Sequence, residues 1–492
     1  MQNLNESLQA KYPHLELAIL PLSQVNKDNE SKRIDSEYFK KEYLENEERL
    51  LNLGSIQLKE TDITIKHPAE IARNYIDSQK GVWFFRTQNL RPLFIDCERN
   101  QVFISNQDAQ KLRKNIIEKD DILITRTGAN CGDCAIYNLD KMTIASSHIL
   151  IAKNSFFNQY FLAVFLNTIY GIKQINRGIY GGLQPEIAPY YLKNIYIPQF
   201  SQDFQLEIQK LVQDSHKALE DSKRLYKEAQ ELLYKELELD FKNPLKSLLK
   251  SSLQAKKPSE LAIINDISKK YPHLNISVRP LSKSLHKSGR LDSEYYQSKY
   301  DLMETKIKDY KGGYCKLQPS EIKDSNFTPK AQEKYRYIEL ANIGNNGNIS
   351  EPLEDFGENL PTRARRKAKT DDFIMSSIEG SLASCALITP EFDNCLVSTG
   401  FYVLNSAQLN GETLLVLFKC EFFQEYLRKF PSGTILTAIS KDELQNILIP
   451  KINPATQEQI ALKIQKSFTL RAKSKDLLQN AKIKLENAIE NG

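Results

Sequence analysis

The segment Ile195-Tyr196-Ile197-Pro198 returns 252 positions later as Ile447-Leu448-Ile449-Pro450, and a long run without proline or glycine follows each copy. These runs, 203–239 and 455–490, predict two long helices, because nothing in either run breaks helical backbone. About 36 residues at about 1.5 Å each reach roughly 54 Å, which is longer than a helix inside a compact domain. Each long helix is therefore predicted to extend beyond the domain that precedes it.

The repeat also extends toward the start of each half of the chain. Tyr12-Pro13-His14-Leu15 recurs as Tyr271-Pro272-His273-Leu274, and Asp35-Ser36-Glu37-Tyr38 recurs as Asp292-Ser293-Glu294-Tyr295. The copies keep their order and nearly their spacing, which indicates a duplicated unit of about 250 residues. A chain of 492 residues thus predicts two domains, each large enough to bury its own core.

Composition indicates an ordinary soluble globular protein, with 41% hydrophobic residues, 26% charged residues and a net charge of +5. No apolar stretch approaches the roughly 18 residues of a membrane span, and the first residues lack the features of a signal peptide. We therefore expect a cytoplasmic protein without membrane contact. Seven cysteines spread over the chain predict reduced thiols and no disulfide framework.

Short β-rich runs alternate with polar turns and helical segments in both halves, which predicts an α+β fold. The predicted strands are 82–85, 121–124 and 149–151 in the first half, and 335–338, 372–375 and 401–404 in the second. The predicted helices inside the domains are 36–53 and 159–170 in the first half, and 293–309 and 413–429 in the second.

The two long runs carry matching stripes of apolar and small residues one heptad apart. Such a period keeps one face toward a partner helix, and small side chains allow a close approach. We expect the two helices to pack together antiparallel about a pseudo-two-fold axis; the alternative is that each lies on its own domain. The predicted packing residues are Ile208, Val212, Ser215, Ser222, Ala229 and Leu233 in the first helix, and Ile460, Ile464, Ser467, Ser474, Ala481 and Leu485 in the second.

Catalytic signatures are missing from the sequence. It contains no dinucleotide-binding Gly-x-Gly-x-x-Gly, no phosphate-binding loop motif and no His-Glu-x-x-His. Cys131-Gly132-Asp133-Cys134 is a lone Cys-x-x-Cys without a second ligand pair, so small buried thiols are a better interpretation than a metal site. We expect a chain without catalytic residues, metal or cofactor of its own.

Basic residues cluster before an Asp-Asp pair in each half, which favours contacts with nucleic-acid phosphates over the alternative of a merely solvated face. Base recognition needs planar amide or guanidinium groups on nearby loops, and these groups differ between the halves. The predicted phosphate contacts are Lys111, Arg113, Lys114, Arg363, Arg365, Arg366 and Lys367. The predicted base-reading residues are Arg86, Gln88, Asn89, Arg126, Thr127, Arg177, Tyr180 and Gln184, with Asn342, Lys429, Ser432 and Thr434 in the second half.

Three segments in fixed order carry a family resemblance: Thr125-Arg126-Thr127-Gly128, then Gly181-Gly182-Leu183-Gln184-Pro185-Glu186, then Leu192-Lys193-Asn194 leading to Pro198 and a long helix. With their second-half counterparts, they make the chain similar to the specificity subunit of type I restriction-modification systems and to its type IIB and fused type IIG relatives. The second half departs from the pattern, because Ser376-Ser377-Ile378-Glu379-Gly380 replaces the Thr-Arg-Thr-Gly segment.

The resemblance implies two tandem target recognition domains of α+β fold, related by pseudo-two-fold symmetry and separated by two long antiparallel coiled-coil helices. Each domain would read one half of a split, asymmetric site in double-stranded DNA. It also implies two methyltransferase subunits carrying S-adenosylmethionine as partners and, in many systems, restriction or translocase subunits. The corresponding ranges are 1–200 and 259–452 for the recognition domains, 201–245 and 453–492 for the spacer helices, and 246–258 for the linker.

Two other functions agree with the same sequence. The long helices could serve a protein-binding adaptor that has no DNA site. The domains could also form an enzyme, such as a nuclease, whose motifs are not recognised.

Overall fold

The computed structural model describes residues 2–72, 74–97, 100–154, 156–252, 289–433 and 437–492. The chain divides into two compact units, Met1–Leu219 with Arg471–Gly492, and Glu220–Leu470. Each unit thus contains part of both long helices in addition to its own sheets. The second Tyr-Pro-His-Leu copy, part of the 246–258 linker and Thr434 lie outside the described residues.

The first unit is built from two sheets and a layer of helices. Its strands are β1 Ile56–Gln57, β2 Thr64–Lys66, β3 Tyr75–Ile76, β4 Gly81–Phe85, β5 Leu90–Arg91, β6 Phe94–Ile95, β7 Val102–Ser105, β8 Ile116–Ile117, β9 Ile122–Thr125, β10 Cys134–Ile136, β11 Thr143–Ala145, β12 Ile149–Lys153, β13 Ile179–Tyr180, β14 Glu186–Ile187 and β15 Tyr196–Ile197. Its α-helices before the long ones are Gln2–Lys11, Leu22–Asn26, Lys41–Asn52, Asn106–Lys111, Gln159–Leu166, Ile169–Gly178 and Pro189–Leu192.

The larger sheet has the order β3-β7-β4-β11-β8, and the second sheet has the order β10-β9-β12-β2. Only β4 and β11 pair in parallel among the strands of these two sheets. Side chains alternate between the two faces of a strand, and every residue of β9 is buried. Both faces of this strand are therefore covered. Leu123 packs with Trp83 and Phe85 between the sheets, whereas Ile122 and Ile124 pack against the helices.

The second unit repeats this strand order, except that its described residues form no counterpart of β3. Its strands are β16 Tyr314–Cys315, β17 Ile322–Lys323, β18 Lys334–Ile338, β19 Leu353–Phe356, β20 Ala364–Lys367, β21 Phe373–Ser376, β22 Cys385–Leu387, β23 Leu396–Ser398, β24 Phe401–Leu404 and β25 Ile449–Pro450. Its sheets are β17-β24-β21-β22 and β19-β18-β23-β20, with β18 and β23 parallel. Its shorter α-helices are Pro244–Ser252, Ser298–Lys308, Gly411–Lys419, Glu421–Leu427 and Lys441–Asn446.

Two predicted helices are corrected by the structure. The predicted helix 159–170 is two helices, because Thr168 takes an extended conformation and its hydroxyl caps the second helix at the N–H of Gly171. The predicted helix 413–429 is also two, interrupted at the extended residue Cys420. The predicted helices 36–53 and 293–309 begin later, at Lys41 and Ser298.

The long helices run from Gln202–Glu236 and from Pro454–Asn491, 35 and 38 residues in length. A glutamine ties the start of each helix to the core of its own unit. The Gln205 side-chain oxygen accepts the N–H of Asn158 at 2.9 Å, and that of Gln457 accepts the N–H of Asn410 at 3.0 Å. Both asparagines cap a core helix, so the direction of each long helix is fixed relative to its core.

Segments of the two long helices pack antiparallel inside each unit. In the first unit, the Ser215 and Ser474 hydroxyls lie 2.8 Å apart and Lys484 pairs with Glu207. In the second unit, the Ser222 and Ser467 hydroxyls lie 2.9 Å apart. All the predicted packing residues are buried: Ile208, Val212, Ser215, Ser474, Ala481 and Leu485 in the first unit, and Ser222, Ala229, Leu233, Ile460, Ile464 and Ser467 in the second.

Candidate nucleic-acid interface

The first unit joins the loop after β9 to the β13–β14 hairpin, and we call residues 126–128 and 179–187 the first loop site. Thr127 and Glu186 form an antiparallel bridge. The Gly128 N–H donates to the Pro185 carbonyl at 2.9 Å. The Ile187 N–H donates to the Arg126 carbonyl at 3.0 Å. These backbone bonds bring predicted residues from two distant parts of the sequence onto one surface.

The side chains of the first loop site are held by specific partners. The Arg126 guanidinium forms an ion pair with Glu186, and Tyr180 lies directly opposite Glu186 in the hairpin. Thr127 is largely buried, and its hydroxyl lies 2.5 Å from Nδ1 of His148. The site therefore presents a fixed planar guanidinium beside a carboxylate and a phenol.

The hairpin turn itself is open to solvent. Gly181 has a φ of +91°, a left-handed conformation that favours glycine, and Gln184 is exposed. Leu183 is fully exposed between them. Burial lowers the pKa of the nearby His67, and the charge of Arg126 lowers it further, so His67 is neutral at pH 7.

The second unit builds an equivalent surface with different side chains, and we call residues 377–379, 432–433 and 437–438 the second loop site. Ile378 and Ser432 both bridge to Ala438. The Glu379 N–H donates to the Thr437 carbonyl at 3.0 Å. The Ser377 hydroxyl donates to the Gly400 carbonyl at 3.0 Å. By these backbone bonds Ser377 stands in the place of Arg126, Ile378 in that of Thr127 and Glu379 in that of Gly128.

Two predicted base-reading amides stabilise turns. Asn89 is fully buried; its side-chain oxygen accepts the Arg86 N–H at 3.2 Å and its amide donates to the Asp96 carbonyl at 3.3 Å. Asn342 holds the equivalent turn by accepting the Glu339 N–H at 2.8 Å. Arg86 and Gln88 remain half-buried and both donate to the Asn100 carbonyl, at 2.9 and 3.3 Å.

Two predicted cationic residues lie mostly inside their units. The side chain of Arg177 is 14% exposed and forms an ion pair with Glu47. The side chain of Lys429 is 10% exposed and forms an ion pair with Glu304. Arg177 and Lys429 occupy matching positions of the repeat, and each lies close to the turn of its own loop site.

The two basic clusters adjoin corresponding sheet edges. The first lies next to β8 in the β3-β7-β4-β11-β8 sheet, and the second lies on β20 in the β19-β18-β23-β20 sheet. Arg365 donates to the Thr362 carbonyl at 3.0 Å and Arg366 to the Phe401 carbonyl at 2.6 Å, so both guanidinium groups are partly engaged. The exposed members of the clusters are Lys111, Arg113, Lys114, Arg363 and Lys367.

The described residues contain no group of three or more His, Cys, Asp or Glu side chains arranged to hold a metal ion. Burial raises the pKa of the Cys131 thiol to about 12, and its sulfur donates to the Arg126 carbonyl at 3.1 Å. Cys131 is thus a packing residue beneath the first loop site. Of the helices in the described ranges, none is both long and apolar enough to cross a membrane.

Three partners in the first loop site were missed by sequence reasoning: Glu186, His148 and His67. Glu186 and His148 follow Arg126 by 60 and 22 residues, so no local spacing links them. The only sequence signal was the position of Glu186 four residues after Gly182. A hairpin prediction for 179–187 would have placed it opposite Tyr180.

The strand orders and the loop sites define an α+β protein whose two units repeat one topology. No family model and no curated protein matches the sequence. Among solved structures, the chain is similar to the S subunit of a type I restriction-modification system from M. genitalium, with 12% identity and a TM-score of 0.40 over 88% of this chain and 94% of that one.

The chain is also similar to the HsdS subunit from Thermoanaerobacter tengcongensis, with 14% identity and a TM-score of 0.24 over 88% of this chain and 96% of that one. A third likeness is to the type IIG restriction endonuclease BpuSI, with 12% identity and a TM-score of 0.30 over 42% of this chain and 33% of that one.

Proposed function

We propose that the chain is a non-catalytic subunit that recognises an asymmetric, bipartite sequence in double-stranded DNA for a restriction-modification system. The observation that carries the proposal is one backbone site built twice with different polar side chains. Arg126 and Glu186 occupy the first loop site, whereas Ser377 and Glu379 occupy the second. Two loop sites with the same backbone arrangement and different polar side chains support recognition of two different base sequences.

The first loop site has the chemistry for direct base contact. A guanidinium can donate two parallel hydrogen bonds to guanine, and a carboxylate can accept from the amino group of cytosine. The ion pair between Arg126 and Glu186 holds both groups in place before DNA binds. The hydroxyl groups of Ser377 and Ser432 bond less selectively, so the second half-site differs from the first.

The remaining predicted residues have two proposed roles, according to whether their side chains are exposed or bonded within the protein. The exposed lysines and arginines of the two basic clusters are proposed phosphate contacts, which supply affinity and register but no sequence information. Asn89, Asn342, Arg177 and Lys429 are proposed to support the reading loops from beneath, because their side chains bond within the protein.

The long helices are proposed to act as a spacer that fixes the gap between the two half-sites, with the units related by a pseudo-two-fold axis. The glutamine ties at Gln205 and Gln457 support this role because they couple each helix to a core. The proposed partners are two methyltransferase subunits that carry S-adenosylmethionine, and in some systems a restriction or translocase subunit. The chain itself then needs no cofactor.

Selection of random duplex DNA with the full-length purified chain, alone and with its methyltransferase, tests the proposal. We expect two short conserved sequence blocks of different sequence, separated by a gap of fixed length. A palindromic or continuous motif would contradict the asymmetric two-part site. The absence of any motif, with partner binding intact, would favour the adaptor, and DNA cleavage or methylation by the chain alone would favour an enzyme.

The double substitution Arg126→Gln/Glu186→Gln is expected to reduce sequence discrimination at one block only, by tenfold to a hundredfold, because a bidentate base contact is worth about 1–3 kcal/mol. Removing both charges together avoids leaving an unpaired carboxylate near DNA. The control is Lys227→Gln/Glu231→Gln, an exposed ion pair at 3.9 Å on the first long helix. The measurement is the ratio of dissociation constants for matched and mismatched duplexes at each block.

The double substitution Arg363→Gln/Lys367→Gln is expected to weaken binding to all duplexes equally. Each lost phosphate contact lowers the slope of log K against log salt by about 0.9, so the slope should fall by about 1.8. Arg224→Gln/Lys227→Gln removes the same charge from the exposed face of a long helix and is the control. An unchanged slope would remove this cluster from the DNA interface.

A further inference from the structure

Each unit contains the same five-residue cluster beneath the turn of its loop site, which we call the clip. The first clip consists of Arg33, Asp35, Tyr38, Glu47 and Arg177. Arg33 donates to both carboxylate oxygens of Asp35, at 2.8 and 2.7 Å, and to the carbonyls of Arg177 and Ile179, at 3.3 and 3.0 Å. One guanidinium thus connects a segment near the chain start with residues about 145 positions later.

The second clip consists of Arg290, Asp292, Tyr295, Glu304 and Lys429. Arg290 donates to both carboxylate oxygens of Asp292, at 2.8 and 3.0 Å. It also donates to the carbonyls of Phe430 and Pro431, both at 3.0 Å. In both units the hydrogen bond from the arginine holds the pKa of its aspartate below the usual range, so the carboxylate stays ionised.

A tyrosine ring has two cations over it in each clip. In the first, the Tyr38 ring has the Arg33 guanidinium at 5.0 Å and that of Arg177 at 4.6 Å from its centroid. In the second, the Tyr295 ring has the Arg290 guanidinium at 4.5 Å and the Lys429 ammonium at 4.7 Å. Cations held against an aromatic face are attracted by its negative charge density.

The outer cation differs between the clips, whereas the arginine that bonds the carbonyls does not. Lysine at 429 replaces arginine at 177, and each is paired with a glutamate, Glu304 or Glu47. The position over the ring therefore needs only a positive charge. The position that bonds two carbonyls at once needs the planar, multiple donors of arginine, and both units have arginine there.

The bonded carbonyls lie at the entrance to the loop sites. Arg177 and Ile179 directly precede Tyr180 and the Gly181 turn, and Phe430 and Pro431 directly precede Ser432 and Gly433. Both sets lie at or just beyond the end of a core helix, where carbonyls lack partners within the helix. An arginine that bonds them fixes the direction in which the chain leaves the helix.

Resting on the proposed function, we infer that Arg33 and Arg290 are positioning residues for DNA reading, each setting the geometry of one loop site and hence the specificity at one half-site. The exposed residues Ile34 and Leu291, next to each arginine, show that the clip segment is not held there by an apolar core. The duplicated Asp-Ser-Glu-Tyr sequence then belongs to the segment that orients the loop site of each unit.

The test uses full-length chains carrying Arg33→Gln, Arg33→Lys or Arg290→Gln, with Arg428→Gln as the control. Arg428 precedes Lys429, but its side chain is 65% exposed. We expect Arg33→Gln to lower discrimination about tenfold at the first half-site alone, and Arg290→Gln to do so at the second alone. Arg33→Lys keeps the charge over Tyr38 but loses the paired donors, so it should keep thermal stability without restoring discrimination.

Hydrogen exchange of the backbone amides gives a second readout that does not need DNA. Arg33→Gln should speed exchange in 179–187 and leave 432–433 and 437–438 unchanged, and Arg290→Gln should do the reverse. Equal losses of discrimination at both half-sites, or unchanged amide exchange in both segments, would overturn the inferred positioning role of the clip. A wild-type chain without sequence preference would instead overturn the proposed function, and the exchange data would still decide whether the clip holds the hairpin.

Discussion

Replacing Ser222 with leucine is expected to lower the free energy of unfolding by about 3 kcal/mol, from overpacking and the loss of a buried hydrogen-bond partner. The Ser222 and Ser467 hydroxyls lie 2.9 Å apart, and the Ser467 hydroxyl also donates to the Ser222 carbonyl at 2.8 Å. Both side chains are almost completely buried. Leucine therefore cannot fit unless the two helix backbones move apart.

Two control variants separate close packing from the chemistry of the hydroxyl groups. Glu231→Leu places the same side chain on the exposed face of the same helix and should change stability by no more than about 0.5 kcal/mol. Ser222→Ala/Ser467→Ala removes both hydroxyls together and should cost less than about 1 kcal/mol, because the Ser222 carbonyl, which loses the Ser467 hydroxyl, keeps its bond within the helix. Urea unfolding followed by circular dichroism measures all three. If Ser222→Leu is as mild as Glu231→Leu, the close approach of the helices is wrong.

The long helices were predicted from sequence to within a few residues, because proline and glycine are absent from both runs. The end of the first helix was placed three residues late. Glu238 adopts a φ of +52°, and the Leu239 N–H donates to the Tyr234 carbonyl at 2.9 Å. Helices usually end this way at glycine, so a glutamate in the left-handed position gave no stop signal.

The core helices were less predictable, because apolar periodicity continues across their breaks. Thr168 begins a new helix, and Asn167 before it donates to the Cys134 carbonyl at 2.9 Å on a neighbouring strand. Threonine is a recognisable N-cap, so this break could have been predicted. Cys420 carries no such signal, and its extended conformation depends on the surrounding core.

The candidate site residues show the limit of local pattern reading. Arg177 stands near the Gly-Gly turn, and its contact with DNA stays a prediction; local spacing did not show its ion pair with Glu47, 130 residues earlier. No spacing rule connects residues so far apart in sequence. The repeat did contain the information, since the Asp-Ser-Glu-Tyr copies and the Arg177 and Lys429 positions recur together. To predict this ion pair from the repeat, the early and late segments of each copy would have had to be treated as packed against one another.

Replacing Gly178 with alanine is expected to destabilise the first unit by about 3 kcal/mol, the upper end of overpacking costs. A Cβ at this position would lie 2.0 Å from Cε1 and 2.1 Å from Cδ1 of the Tyr191 ring. The Tyr191 hydroxyl donates to the Gln174 carbonyl at 2.8 Å, so the ring cannot swing aside without losing that bond. At the 252-residue shift, Gly178 corresponds to Phe430 and Tyr191 corresponds to Glu443. The second half thus has a larger residue at the first position and a smaller one at the second.

Urea unfolding followed by the fluorescence of Trp83, the single tryptophan, reports on the first unit directly. Gly182→Ala is the control, because a Cβ there meets no atom within 4 Å, and it should change stability by no more than about 0.5 kcal/mol. Tyr191→Leu should be less harmful in the Gly178→Ala background than alone, giving a coupling of at least about 1 kcal/mol.

Gly178 directly precedes β13, so relief of the clash by backbone movement would displace the hairpin of the first loop site. We therefore expect Gly178→Ala to lose discrimination at the first half-site while the second half-site is read normally. Additive effects of Gly178→Ala and Tyr191→Leu would show that the ring is not the obstacle. Full discrimination in a destabilised Gly178→Ala chain would show that the hairpin geometry does not depend on the end of this helix.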